Sequence, residues 1–235
     1  MTKEIYISDD MIQKIQKFDS IIFDCDGVLV DIRNSYDYAI NKTISAIMNE
    51  LFDDKISDVV NSKILYGLKA SGGFNDEVAV VYAVVMTLVA SKKSNLKFEK
   101  LIIDVINNAN ESGINSIDNY FINQNIDLKE IKLKLDYENS RKISYIHRIF
   151  NQLFYGPKLY EEIFKEKSQF SEKPLIDLDN IVLDDNLMSK LKTRFGNKIS
   201  TVTGRGNFAF SYSMKNYLDN FDMKNSVFLE DRSLE

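Results

Sequence analysis

Ser20-Ile21-Ile22-Phe23-Asp24-Cys25-Asp26-Gly27-Val28-Leu29-Val30-Asp31 changes character at one step. A compact apolar run stops at Asp24, and a second aspartate and a glycine follow at 26 and 27. This is how a buried parallel strand delivers polar residues to its C-terminal edge. Lys198-Ile199-Ser200-Thr201-Val202 reads as a second such strand, running into Thr203-Gly204-Arg205-Gly206. A third strand is expected at Ser226-Val227-Phe228-Leu229, ending at Glu230 and Asp231.

Between the first two strands the pattern is helical. The chain has only 9 glycines and 2 prolines, so few breakers interrupt long helices. Ile40, Ile44, Ile47 and Met48 recur at helical spacing, as do Leu96, Leu101, Val105 and Ile106. Ile143, Ile146, Ile149, Phe150 and Leu153 continue the pattern to a predicted stop near Gly156-Pro157. The polar segment from Lys165 to Pro174 reads as a linker. Beyond it, Asp184 and Asp185 precede Leu187, Met188 and Leu191, with Gly196 just after, which predicts a capped helix. Another helix is predicted over roughly Phe208 to Leu218, and a short amphipathic stretch over Ser8 to Lys17.

The order strand, helical insert, helix, strand, helix, strand predicts an α/β fold. Its core would be a Rossmann-like, doubly wound parallel sheet from residues 1–31 and 174–235. Residues 32–173 would form a large all-α domain inserted after the first strand.

Composition narrows the function classes. At 235 residues and 44% apolar content the chain can bury a substantial core. Thirty basic residues against 35 acidic give a net charge of −5, with no basic stripe to track a phosphate backbone, so nucleic acid is not an expected partner. Cys25 has no intrachain disulfide partner and the charged N-terminus does not read as a signal peptide, so a cytoplasmic setting is expected. Val78 to Ser91 is the longest uncharged apolar run, and its 14 residues fall short of the roughly 20 that span a bilayer. It is read as a buried helix, and no membrane partner is expected.

Chemistry concentrates at the strand ends. One carboxylate can meet a reacting centre in line while a partner two residues on reaches the leaving oxygen. Asp24 and Asp26 have that spacing, and Gly27 permits a tight backbone turn beside them. A simple turn after a strand has the same composition. A calcium loop does not fit, because Ile22 stands where a ligand would be needed. At the second strand end, the Thr203 hydroxyl and the following backbone N–H can hold a phosphate oxygen, aided by the N-terminus of the next helix. The competing reading there is a strand-to-helix turn with a cap.

Asp24-Cys25-Asp26-Gly27-Val28-Leu29-Val30-Asp31 resembles the first motif of the haloacid dehalogenase superfamily, and Thr203-Gly204-Arg205 resembles its second. The resemblance implies a magnesium-dependent phosphohydrolase with an aspartyl-phosphate intermediate, acting on a small phosphorylated metabolite. Asp24 would be the nucleophile and Asp26 the general acid and base. Gly27, Thr203 and Gly204 would hold the phosphate. Mg²⁺ would sit on the Asp24 carboxylate and the Asp26 backbone carbonyl. The superfamily's dehalogenases use the same nucleophile without metal, but Asp26 and the Thr-Gly pair favour phosphate. The insert matches the helical, C1-type cap of subfamily I.

Ser71-Gly72-Gly73-Phe74-Asn75-Asp76 and Phe154-Tyr155-Gly156-Pro157-Lys158-Leu159-Tyr160-Glu161 are similar to segments of an uncharacterised, largely archaeal branch. Phe74 and Asn75 are candidate specificity residues if the glycine pair brings them over the site; a plain helix-to-helix connection ending in an N-cap is the alternative. His147 is read as a surface or packing residue, Arg205 as a residue without a catalytic role, and Asp184 and Asp185 as caps. The family pattern continues with a lysine after the third strand and an acidic pair after a fourth, whereas this sequence stops at Arg232-Ser233-Leu234-Glu235. A truncated chain, a split gene or an incomplete gene prediction is the corresponding expectation, and a catalytically silent binding or interaction module is the alternative function.

Overall fold

The computed structural model describes Ser8, Met11, residues 14–137 and residues 144–234. Parts of the amphipathic stretch at Ser8–Lys17, together with Ile143, lie outside the described residues. In chain order the elements are β1 (Ile21–Phe23), β2 (Val30–Asp31), α1 (Tyr36–Phe52), α2 (Ser62–Ala70), α3 (Glu77–Ser94), α4 (Phe98–Asn108) and α5 (Ile114–Asn123). They continue with α6 (Lys129–Leu135), α7 (Tyr145–Phe164), β3 (Asn180–Ile181), α8 (Asp185–Phe195), β4 (Ile199–Thr201) and α9 (Asn207–Ser213). Two compact units divide the chain, Met1–Ile32 with Asp179–Glu235, and Arg33–Leu178.

The first unit is α/β. β1 and β4 pair in parallel, with Ile21 opposite Ile199 and Phe23 opposite Thr201. Side chains alternate between faces along a strand, so Ile21 and Phe23 pack on a core that includes Cys25, Leu29, Met188, Ile199 and Phe210. Ile22 takes the other face and is 64% exposed. Ser200 lies opposite Ile22, and Val202, one pleat further on, bridges to Val227. Val202 and Val227 are also exposed, which corrects the fully buried strand expected from sequence. One face of this small sheet is covered by α8 and α9, while the other carries open apolar side chains.

The sheet is also smaller than a doubly wound core. A separate two-residue antiparallel pair joins β2 to β3. The strand expected at Ser226–Leu229 contracts to the single bridge at Val227. The reason is local: the Asp231 carboxylate accepts the Phe228 N–H at 2.8 Å and draws the chain into a 3-10 turn over Leu229–Leu234. α8 follows its sequence signals closely. The Asp184 side chain accepts the Leu187 N–H, and Gly196 ends the helix at φ +58°. α9 ends at Ser213, short of the predicted Leu218.

The second unit is all-helical. Every residue of α3 from Val78 to Ser91 is buried, as its uncharged run predicts, and α1, α4, α5 and α7 pack around it. Thr87 donates to the Ala83 carbonyl and Ser91 to the Leu88 carbonyl within the helix, while the Tyr82 hydroxyl donates to Asp118 of α5 at 2.7 Å. α7 breaks at Gly156 (φ 67°, ψ 173°) but resumes at Pro157, so the expected stop is a kink. A Cβ at Gly156 would lie 2.9 Å from the Pro174 backbone, which only glycine tolerates. The expected linker is part of this unit. Gln152 accepts bonds from the Gln169 N–H and the Ser168 hydroxyl, and Leu175 and Ile176 are buried. Among the described residues no helix is long and apolar enough to cross a membrane.

Candidate active site

The turn after β1 curls around one carbonyl. The N–H groups of Val28, Leu29 and Val30 all point to the Cys25 oxygen at 2.8–3.2 Å. Gly27 sits at φ +80° and bonds to the Val30 carbonyl, so the turn requires glycine for its conformation. Cys25 is buried in the core, Asp24 is exposed and Asp26 is half-buried. Burial pushes the Cys25 thiol far above its ordinary pKa, which leaves it an uncharged packing group. One Asp24 oxygen accepts the Cys25 N–H at 2.7 Å, which orients the carboxylate.

Asp26 faces Arg205. The Arg205 Nη1 donates to Asp26 Oδ1 at 2.9 Å, and Nη2 donates to Asp179 and, at 2.8 Å, to the Ser213 hydroxyl. Ser213 in turn donates to Asp179 at 2.6 Å. The Arg205 side chain is fully buried, whereas 27% of the Asp26 side chain remains exposed. Burial raises the Asp26 carboxyl above the usual carboxylate range, and the Arg205 charge only partly counteracts it. Arg205 is therefore a central structural residue of this unit. Asp179 and Ser213 carried no sequence signal, because neither belongs to the strand-end stretches.

Thr203 is 5% exposed. Its backbone N–H bonds to the Val227 carbonyl, and its hydroxyl accepts the Arg205 N–H at 3.1 Å. Gly204 is exposed, with open space where a Cβ would stand. The parallel register places Asp24 and Thr203 just beyond the paired residues Phe23 and Thr201, at one edge of the sheet. Arg205 then joins the two loops through Asp26. The helix that follows does not supply a free N-terminus: α9 has 7 residues, and the Glu230 carboxylate already accepts the Asn207 N–H at 3.0 Å.

Phe74 and Asn75 lie in the helical unit. Phe74 is wholly buried and Asn75 is exposed. A Cβ on Gly73 would stand 2.2 Å from the Asn110 oxygen and 2.5 Å from the Gly113 nitrogen, so this glycine serves a close backbone approach. The Asp76 side chain accepts the Val78 N–H at 2.9 Å. The segment is a packed connection ending in an N-cap, with the Phe74 side chain fully buried. His147 is buried and stacks on Tyr137 at 5.6 Å, a packing role. Asp184 caps α8 and Asp185 accepts the Tyr217 hydroxyl. The Arg232 side chain lies outside the described residues.

Among the described residues no group of three or more His, Cys, Asp or Glu side chains is placed to hold a metal ion. The acids near the site are engaged in pairs with hydrogen-bond donors.

The chain shares its fold with solved structures. Phosphatase Tt82 from Thermococcus thioreducens matches with a TM-score of 0.59 and 22% identity, over 89% of this chain and 72% of that one. A protein solved as Northeast Structural Genomics Consortium target ZR25 matches with a TM-score of 0.65 and 17% identity, over 91% of this chain and 70% of that one. No family model and no curated protein matches the sequence. At these identities the likeness concerns the fold: a mixed α/β, helix-rich chain with a small parallel sheet.

Proposed function

We propose that the chain is a phosphohydrolase of the haloacid dehalogenase type, acting on a small phosphorylated metabolite through an aspartyl-phosphate. The observation that carries this reading is the parallel pairing of β1 with β4, which brings Asp24, Asp26 and Thr203 out at one sheet edge. The fold shared with a phosphatase supports it.

The chemistry follows from the residues. An oxygen of Asp24 attacks phosphorus and forms an O–P bond as the ester P–O bond breaks. The leaving alkoxide takes a proton from Asp26, whose carboxyl is raised above the usual carboxylate range by burial. Water then attacks the same phosphorus, giving its proton back to Asp26, and the Asp24–phosphorus bond breaks. Ester and water become alcohol and phosphate, with both aspartates restored. The hydroxyl of Thr203 and the open backbone at Gly204 orient the phosphate, and Gly27 lets the chain pass close to it.

Magnesium fits the donor set. This ion is commonly held by one or two carboxylates plus substrate phosphate, with waters completing its shell, so no larger cluster of acids is needed. The Asp24 carboxylate and Asp26 carbonyl would hold it, and it would neutralise phosphate charge.

The test is turnover of p-nitrophenyl phosphate by the full chain with and without Mg²⁺. Asp24→Asn should lower kcat by at least about 10³-fold. Turnover that is unchanged by this substitution removes the nucleophile assignment, and a wild-type chain without turnover leaves the silent binding module as the better reading.

A further inference from the structure

We infer that Arg205 is a positioning residue that holds Asp26 in the orientation needed to protonate the leaving group. This inference rests on the phosphohydrolase reading above and assigns a role to three residues which that reading does not use.

Asp26 lies in a tight turn, but its carboxylate could still rotate about two side-chain bonds. Arg205 fixes it from the neighbouring loop through the 2.9 Å bond to Oδ1. About a quarter of the Asp26 side chain, 27%, remains exposed. Arg205 is itself fixed. Its Nη2 is bonded to Asp179, at the start of β3, and to Ser213, at the end of α9. Its own backbone N–H is held by Thr203, and its carbonyl accepts the Leu229 N–H. One planar guanidinium thus ties the turn after β1 to the turn after β4 and anchors both to a buried carboxylate. A planar fork of fixed donors performs this task better than a single ammonium, because two directions are set at once.

A general acid contributes only when its proton lies on the line to the leaving oxygen, and a displacement of about 1 Å can cost about 10²-fold. Protonation matters most for a poor leaving group. An alkyl phosphate needs its alkoxide protonated, whereas p-nitrophenolate departs without help. Misplacing Asp26 should therefore separate the two substrate types, while a general loosening of the fold should not.

The experiment compares kcat and KM of the full chain, with Mg²⁺, on p-nitrophenyl phosphate and on glycerol phosphate. For Arg205→Lys, kcat on glycerol phosphate should fall about 10²-fold with KM little changed, and kcat on p-nitrophenyl phosphate should fall only severalfold. Asp26→Asn should give the same split, larger in size. Ser213→Ala removes two bonds, one from Arg205 and one to Asp179, without stripping a buried charge, so it folds where Arg205→Lys does not, and it should show the same split in weaker form. Equal losses on both substrates, or no loss in either variant, overturn the positioning role while leaving Asp24 as nucleophile. Turnover that survives Asp24→Asn, or its absence from the wild type, overturns the phosphohydrolase reading and this inference with it.

Discussion

The α3 helix and the Arg205 network are both buried, and they bury opposite chemistry. α3 is a mostly apolar run in which Thr87 and Ser91 bond within the helix and the Tyr82 hydroxyl donates to Asp118. Arg205 is a cation sealed between two carboxylates and a hydroxyl. Apolar burial favours folding roughly in proportion to the area removed from water. A buried ion pair must first overcome the desolvation of each charge, so it is weak support for stability. The helical unit is thus built for cohesion. The α/β unit spends part of its interior on charge and leaves Ile22, Val202 and Val227 in solvent. The buried charge stands beside the turn that carries Asp24 and Asp26, whereas the helical unit buries an apolar helix.

The sharpest way to break this contrast is Arg205→Met. It strands Asp26 and Asp179 without their cation, and the expected loss is at the upper end of about 3–5 kcal/mol in urea unfolding. Adding Asp26→Asn and Asp179→Asn to it should recover much of that loss while leaving the chain inactive. If the triple variant is as unstable as the single one, the network is cohesive in its own right and the contrast fails.

Phe74→Ala tests the helical side. Removing a wholly buried ring should cost about 3–4 kcal/mol. Where the variant is folded, KM for p-nitrophenyl phosphate should stay as in wild type. A change in KM at unchanged stability would mark Phe74 as a specificity residue.

The smallest effect concerns Glu77, which pairs with Lys69 at 3.0 Å. Burial raises its pKa, with Lys69 opposing the shift. Above about pH 4.5 the unfolded chain has released this proton, while the folded chain keeps it to a higher pH. Wild-type stability should therefore fall as pH rises from below 4.5 through the raised value, relative to Glu77→Gln. The difference between the two unfolding curves measures this, and a difference of the opposite slope would show that Lys69 dominates.

Much of the architecture was legible in the residues, for identifiable reasons. Strand β1 was announced by an apolar run ending in aspartate, α8 by Asp184 and Gly196, and α3 by 14 uncharged residues. Signals of this kind act within a few residues and survive translation into structure. What failed depends on which polar side chain captures which backbone group. Neither hydrophobic periodicity nor a turn signal says that Asp231 turns back on Phe228, three residues away, or that Glu230 reaches the start of α9 from 23 residues away. The candidate site divides the same way. Asp24, Asp26, Gly27, Thr203 and Gly204 stand in two short motifs and could be named from them. Arg205 stood in plain view, but its role is set by Asp179 and Ser213, which are 26 and 8 residues away. The glycines at 72 and 73 looked like a flexible interruption, because close backbone packing against Asn110 and Gly113 leaves no trace in periodicity.

Cys25 gives the molecule an internal clock. It is the sole thiol, it is fully buried, and its carbonyl is the hub around which the turn is wound. A thiol reagent can reach its sulfur only when that turn or the whole domain opens, so labelling kinetics of the unmodified protein report the opening rate at the candidate site. Comparing that rate with global unfolding would tell whether this turn breathes on its own or moves only when everything around it lets go.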